Sequence, residues 1–316
     1  MRFGLALVVP LALCARAAFA GDAAPPPAAE APAKPPPYSL PWQLRPATVP
    51  NVVRWDNTVA FYEDAAAHKG TTWVSIFNAI VRIPGTGGPG NGLGVLFRLP
   101  LSVDSPPTGS GGAMLGNPLL GVLYGAPLPK PFKLSASIGF TTPVGMGGGD
   151  TPSPGTKDAR VAAVPARFQI DNALFNVNDL GIVGGADFAY VDHGFTAQVE
   201  ATLAQYFRVR GELDQPEATK TSFVAGLHLG YFIVPQLSIG ADLRYQRWID
   251  APFKVEKDAS GDSWDNLSTT IGLRAHIPIG KTWLRPGVAY ARALDKPLAA
   301  ATPNYHMIQI DIPFAF

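Results

Sequence analysis

Residues 195–209 read FTAQVEATLAQYFRV. Phe195, Ala197, Val199, Ala201, Leu203, Phe207 and Val209 fall on one face of an extended chain, with Gln205 the exception. Thr196, Gln198, Glu200, Thr202, Tyr206 and Arg208 fall on the other. Successive side chains of a strand point to opposite sides, so this stretch gives one apolar and one polar face. Wound at 3.6 residues per turn, the same polar residues would scatter around a helix. A strand this long with those two faces suits a transmembrane barrel, apolar side to lipid and polar side to the lumen.

The alternation recurs. Leu237, Ile239, Ala241, Leu243 and Tyr245 oppose Ser238, Asp242 and Arg244, and Ile271, Leu273, Ala275 and Ile277 oppose Ser268, Thr270, Arg274 and His276. Residues 132–140 alternate with Lys133, Ser135 and Ser137 inward, and 223–233 are apolar at odd positions, with His228 on the other face. The pattern predicts twelve strands, over 52–62, 71–83, 92–103, 112–125, 132–144, 181–192, 194–210, 220–233, 236–249, 265–278, 282–293 and 303–316. Ten or fourteen are the alternatives, because the first half alternates less cleanly. In the second half, short connections at 192–193, 234–236 and 280–281 alternate with longer polar ones at 211–219, 250–264 and 294–302. Short periplasmic turns and long external loops are the rhythm of an even-stranded, up-and-down antiparallel barrel. Residues 145–180, opening on GMGGGDTPSPG, form the longest predicted external loop.

Composition agrees with an all-β membrane protein. Mean hydropathy is +0.12 and 16% of residues are charged, yet residues 21–316 contain no apolar run near the roughly 20 that a membrane helix needs. A net charge of +1 gives no reason to expect a nucleic-acid partner. The start reads as a secretory signal: Met1-Arg2, an apolar run over 3–13, and Ala18-Phe19-Ala20 as a cleavage pattern near Ala20. The single cysteine, Cys14, would leave with that signal, which excludes disulfides and thiolate chemistry in the remainder. Three regions follow: a signal peptide at 1–20, an Ala/Pro-rich periplasmic linker or small plug at 21–50, and the barrel at 51–316. Within the second, YSLPWQLRPATVP at 38–50 sets anchors among prolines; it is either a plug, a periplasmic contact, or an irregular lead-in to the first strand.

Function would reside on the polar face. The inward candidates are Arg54, Asp56, Arg98, Glu200, Arg208, His228, Asp242, Arg244, Arg274, His276, Arg285 and Asp311. Arginines outnumber acids in this set, so an open lumen would favour anions modestly. A ladder of salt bridges filling a closed barrel is the alternative. Trp55, Phe61, Tyr62, Trp73, Tyr231, Tyr245, Trp248, Trp283 and Tyr290 sit near strand ends as expected of interfacial girdles. Catalysis, cofactor and metal are not indicated. His68, His193, His228, His276 and His306 lie on separate elements outside any hydrolase or metal motif, leaving only a triad assembled across strands. Asp150, Asp158 and Asp171 match no calcium-loop spacing and read as part of a solvated, mobile loop.

The chain ends on alternating Ile308, Ile310, Ile312 and Phe314, with Phe316 last. A final strand closing on aromatics resembles the signal read by the outer-membrane β-barrel assembly machinery, with Phe314 and Phe316 as its key residues; Asp311 stands where glycine is usual. The segments LGNPLLGVLYG at 115–125 and FKLSASIGFTTPVG at 132–145 together resemble the outer-membrane transporter-like proteins associated with phenol meta-pathway degradation. Those proteins usually carry Gly-Asp where this chain has Gly116-Asn117. The resemblance implies a monomeric barrel in a Gram-negative outer membrane, in contact with its lipid, passing small apolar or aromatic solutes. The expected function is passive uptake of small molecules, with a closed barrel binding through its external loops as the alternative.

Overall fold

A computed structural model describes residues 38–64, 66–213, 216–300 and 304–316. The signal and cleavage pattern expected at 1–20, and the Ala/Pro tract through residue 37, lie outside the described residues.

Among the described residues fifteen strands occur in chain order: β1 Val52–Glu63, β2 Lys69–Arg82, β3 Gly92–Ser105, β4 Gly112–Leu115, β5 Leu119–Ala126, β6 Phe132–Thr141, β7 Asp179–Asp192, β8 Phe195–Arg208, β9 Thr219–Val234, β10 Leu237–Asp250, β11 Asp265–Ala275, β12 Ile277–Ile279, β13 Thr282–Leu284, β14 Gly287–Ala293 and β15 His306–Ala315. Twelve of them form a closed antiparallel ring, each paired with its neighbours and β1 paired back to β15 from Val52↔Ala315 to Phe61↔His306. Closure leaves no edge strand. The three extra strands are lips: β4 folds back on β3, and the β12–β13 hairpin extends the other end.

The predicted strand over 112–125 is two strands, because Gly116, Asn117 and Pro118 break it. Likewise 282–293 divides at Arg285-Pro286, where proline has no N–H to give the ladder. The β7–β8 connection is a two-residue hairpin in which His193 and Gly194 both take positive φ, 47° and 80°, as the twist of the flanking strands requires.

The ring is apolar outside and polar inside. Along β8, Phe195, Val199 and Phe207 are exposed while Thr196, Gln198, Glu200 and Tyr206 are buried. Ile138, Ile271 and Val288 are more than half exposed, which is costly in water and expected against lipid. No helix among the described residues is long and apolar enough to cross a membrane, a statement that does not concern strands. Trp55, Phe61, Tyr231 and Tyr290 point outward as girdle residues would. Trp248 and Tyr62 do not. Trp248 is buried against Tyr206, and Tyr62 stacks on Tyr305 at 5.0 Å and hydrogen-bonds Asp104. Both occupy the inward register of their strands, and nearness to a strand end alone did not fix the side.

The largest departure is the segment between β6 and β7. It is not a solvated loop. It carries α1 (Pro154–Ala163), a 3₁₀ turn (Pro165–Arg167) and α2 (Asn172–Phe175), and it fills the barrel from its long-loop end. Phe168, Leu174, Phe175 and Val177 are buried in one cluster with Ala60, Val74 and Ile76 of the wall. Phe168 adopts a left-handed backbone, φ 50°, unusual for a bulky residue, and its buried ring offsets the strain. A last helix, α3 (Phe253–Glu256), lies in the connection after β10.

Candidate functional site

Residues 38–50 run inside the barrel from the short-turn end. Three prolines prevent this stretch from pairing as a strand, so its buried N–H and C=O groups need side-chain partners. The wall provides them. Asp242 Oδ2 accepts the N–H groups of Trp42 (3.0 Å) and Gln43 (2.8 Å). Glu200 accepts the Arg45 N–H at 2.7 Å, and Thr196 that of Ser39 at 3.1 Å. Gln198 donates to the Arg45 carbonyl, Gln309 to the Trp42 carbonyl, and Arg54 to the carbonyls of Pro41 and Trp42. The Trp42 ring occupies a socket where Gly272 and Gly287 carry no side chain; a Cβ at either position would overlap it. Arg274 covers that ring at 4.3 Å, a cation–π contact away from bulk water. Gly185 similarly leaves room for the Arg45 guanidinium, which bridges Asp187 (3.4 Å) and Glu200 (3.7 Å) on neighbouring strands.

The insert from the other end is pinned by Arg167. This buried guanidinium donates to Thr58 at 2.6 Å, Asp56 at 3.2 Å and Asp171 at 2.9 Å. Arg98 binds the second oxygen of Asp171 at 2.8 Å. Burial alone would raise the Asp171 carboxyl, but the guanidiniums of Arg98 and Arg167 outweigh it and hold it well below the ordinary carboxylate range. Asn117 ties the same insert to the wall. Its amide donates to the Asn176 carbonyl at 2.9 Å and accepts from the Gly145 N–H at 2.9 Å. Gly116 passes so close to the Leu174 carbonyl that a Cβ would collide. The two segments that carried the family resemblance therefore meet at the root of this insert.

Between the inserts lies a cavity of about 110 Å³. Ile80, Leu96, Arg98 and Leu119 line it from neighbouring strands of one part of the ring, and Glu200 and Arg244 from another. Leu44 closes it from the short-turn end and Leu174 from the long-loop end.

Asp56, Glu200, His228, Asp242, Arg244, Arg274, His276, Arg285 and Asp311 are buried within the ring, and Arg54 and Arg98 are partly so. Arg208 sits at the long-loop end of β8, bonded to the Pro216 carbonyl at 2.5 Å. Pairing offsets much of the expected positive charge, Arg285 excepted among the described residues. Arg274 and Arg54 share Asp311, Arg244 meets Glu200 at 2.9 Å, and two more acids join them: Asp187, which the sequence reading omitted, and Asp171, which it placed in a solvated loop and which is buried. Asp311 occupies its unusual place in the final strand because two arginines converge on it. Asp187 lies opposite Glu200 in the register, on the same face as the buried residues of β7, and strict alternation through that strand would have found it. Arg45, Arg167 and Trp42 had no strand period to reveal them.

Two histidines approach hydrolase geometry without completing it. Ser238 Oγ is 2.8 Å from His276 Nε2, but His276 Nδ1 has no partner. His228 Nδ1 meets Asp242 at 2.7 Å, but its Nε2 bonds to nothing. Neither has all three members of a triad. Among the described residues, no cluster of His, Cys, Asp and Glu could hold a metal ion.

Neither the models of protein families nor the curated protein sequences match this chain. Solved structures do. An outer membrane channel from Pseudomonas putida F1 superposes with a TM-score of 0.53 at 12% identity, over 87% of this chain and 98% of that one. The NanC porin (0.48, 7% identity, 83% and 98% covered) and the translocator domain of the autotransporter NalP from Neisseria meningitidis (0.44, 10% identity, 86% and 90% covered) are more distant, too slight to argue from. At such identities the likeness is one of fold: this chain shares the architecture of an outer-membrane β-barrel.

Proposed function

We propose that the chain resides in the outer membrane of a Gram-negative cell after signal cleavage near Ala20, and passes small molecules by passive diffusion through a lumen gated by residues 38–50. The observation that carries this reading is the cavity left between the two inserts. A barrel serving only as a scaffold has no need of a chamber, whereas a gated channel at rest would have one. An engineered cavity of roughly 150 Å³ accepts benzene, so a chamber of about 110 Å³ suits a solute of a few heavy atoms and would need one insert to move for anything larger. The small apolar or aromatic solutes implied by the family resemblance fit the lining contributed by Ile80, Leu96 and Leu119. The outward Phe314 and Phe316 would serve the assembly machinery during insertion.

Planar-bilayer recordings of the chain with and without residues 21–50 test the proposal. Rare, small openings are expected with the segment present and sustained steps without it. The absence of both conductance and solute flux in both forms would refute the channel. The second reading, a closed barrel acting through its loops, draws on the dense ion pairing of the interior and would gain from that outcome.

A further inference from the structure

The insert from the long-loop end is a partition with two faces. Ile170, Ala173 and Leu174 border the inner cavity. Gln169, Asn172, Phe175 and Asn176 line a second pocket, of about 390 Å³, on the opposite side. Its remaining walls come from four parts of the long-loop end: Val161 and Val164 at α1, Pro216 after β8, Trp248 at the end of β10, and Phe253 and Val255 at α3.

Two features of that pocket are chemically pointed. The walls are mainly apolar, yet Asn172 and Trp248, 3% and 4% exposed, each keep polar atoms without a hydrogen-bond partner in the protein. These are Asn172 Nδ2 and Oδ1 and Trp248 Nε1, joined by Asn176 Nδ2. Buried polar groups are normally satisfied, so three donors and one acceptor gathered beside one apolar pocket call for a partner from outside the chain. Of the charged residues that line it, Arg160 is buried, and the more exposed Lys254 and Glu217 carry opposite signs.

We propose that this pocket captures a small uncharged molecule with an apolar body and a hydroxyl or carbonyl oxygen. The oxygen accepts from the Asn172 amide and the Trp248 indole, and the body packs on Val164, Phe175 and Phe253. A molecule held there is separated from the inner chamber by α2 alone. Its place on a path rests on the channel reading; binding itself does not. A site built to satisfy a hydroxyl discriminates strongly against the analogue that lacks one, because its own polar groups would stay unpaired.

The test uses the full chain in lipid nanodiscs with 4-fluorobenzyl alcohol and 4-fluorotoluene as ¹⁹F NMR probes, subtracting empty nanodiscs. The alcohol should bind saturably and at least about tenfold more tightly than the toluene. Asn172→Leu should erase that preference, and Val161→Trp, a change at a half-exposed lining position, should block both probes while leaving the barrel folded. Equal binding of the two probes, or alcohol binding undisturbed in Val161→Trp, overturns the proposal. Binding that fails while the chain lacking residues 21–50 still conducts removes the capture site and leaves the channel standing. Binding that succeeds when neither chain conducts does the reverse.

Discussion

The two inserts occupy the same barrel by different physics. The one from the long-loop end behaves as core: Phe168, Leu174, Phe175 and Val177 are buried against Ala60, Val74 and Ile76, with Arg167 and Asp171 as its charged pins. The N-terminal one buries Leu40, Trp42, Leu44 and Val49 but is held chiefly through its main chain, by Asp242, Glu200, Thr196, Gln198, Arg54 and Gln309, with Trp42 and Tyr38 as its aromatic anchors. Apolar burial contributes about 1.5–3 kcal/mol per large side chain, whereas a hydrogen bond exchanged with water nets roughly 1 kcal/mol. Once water reaches the wall, the N-terminal insert's bonds can be replaced one for one, but a displaced Phe168 regains nothing. The loop insert is therefore structure, and on the proposed channel reading the N-terminal segment is the part that leaves.

The sharpest way to break that contrast is to truncate one anchor in each. Phe168→Ala should destabilise the barrel by about 3–5 kcal/mol, read as a lower unfolding midpoint in detergent. Trp42→Ala should leave that midpoint nearly unchanged and instead lengthen channel openings. Equal losses of stability from the two changes would mean that both inserts are core. A smaller effect is expected from the socket. Gly287→Val places methyl groups where the Trp42 ring lies, and should raise the open fraction roughly tenfold, equivalent to about 1.4 kcal/mol lost from the seated state. The same change in the chain lacking residues 21–50 should do nothing.

The contrast also explains what the sequence disclosed. Strands announced themselves because each must choose between lipid and lumen at every residue, so the ring, its closing strand and the faces of Glu200, Asp242 and Arg274 follow from alternation. The inserts obey no such rule. Phe168 and Leu174 share a buried cluster with wall residues as distant in sequence as Ala60 and Val74, and nothing in GMGGGDTPSPG or its sequel distinguishes a lumen filler from a surface loop. Pro41 and Pro46 excluded a strand at 38–50, but not where the stretch would go. The clue was indirect: inward glycines at 185, 272 and 287 leave space that only another segment could use.

The smallest expected effect concerns pH, and it again separates the inserts from ordinary loops. The Asp171 carboxyl is held below its usual range by Arg98 and Arg167 despite its burial. A group depressed in the folded state adds stability that is fully present above its unfolded pKa of about 3.9, and that fades only as pH falls through the lower folded value. Acidification from pH 7 to about 5 should therefore leave the Arg98–Asp171–Arg167 clamp intact, and amide exchange across 165–176, corrected for its intrinsic pH dependence, should stay constant. Protection that declines in that window would place the carboxyl outside the clamp. In Asp171→Asn protection should be lower at neutral pH, and the loss on going below about pH 4 should shrink, because the acid that titrates there is gone.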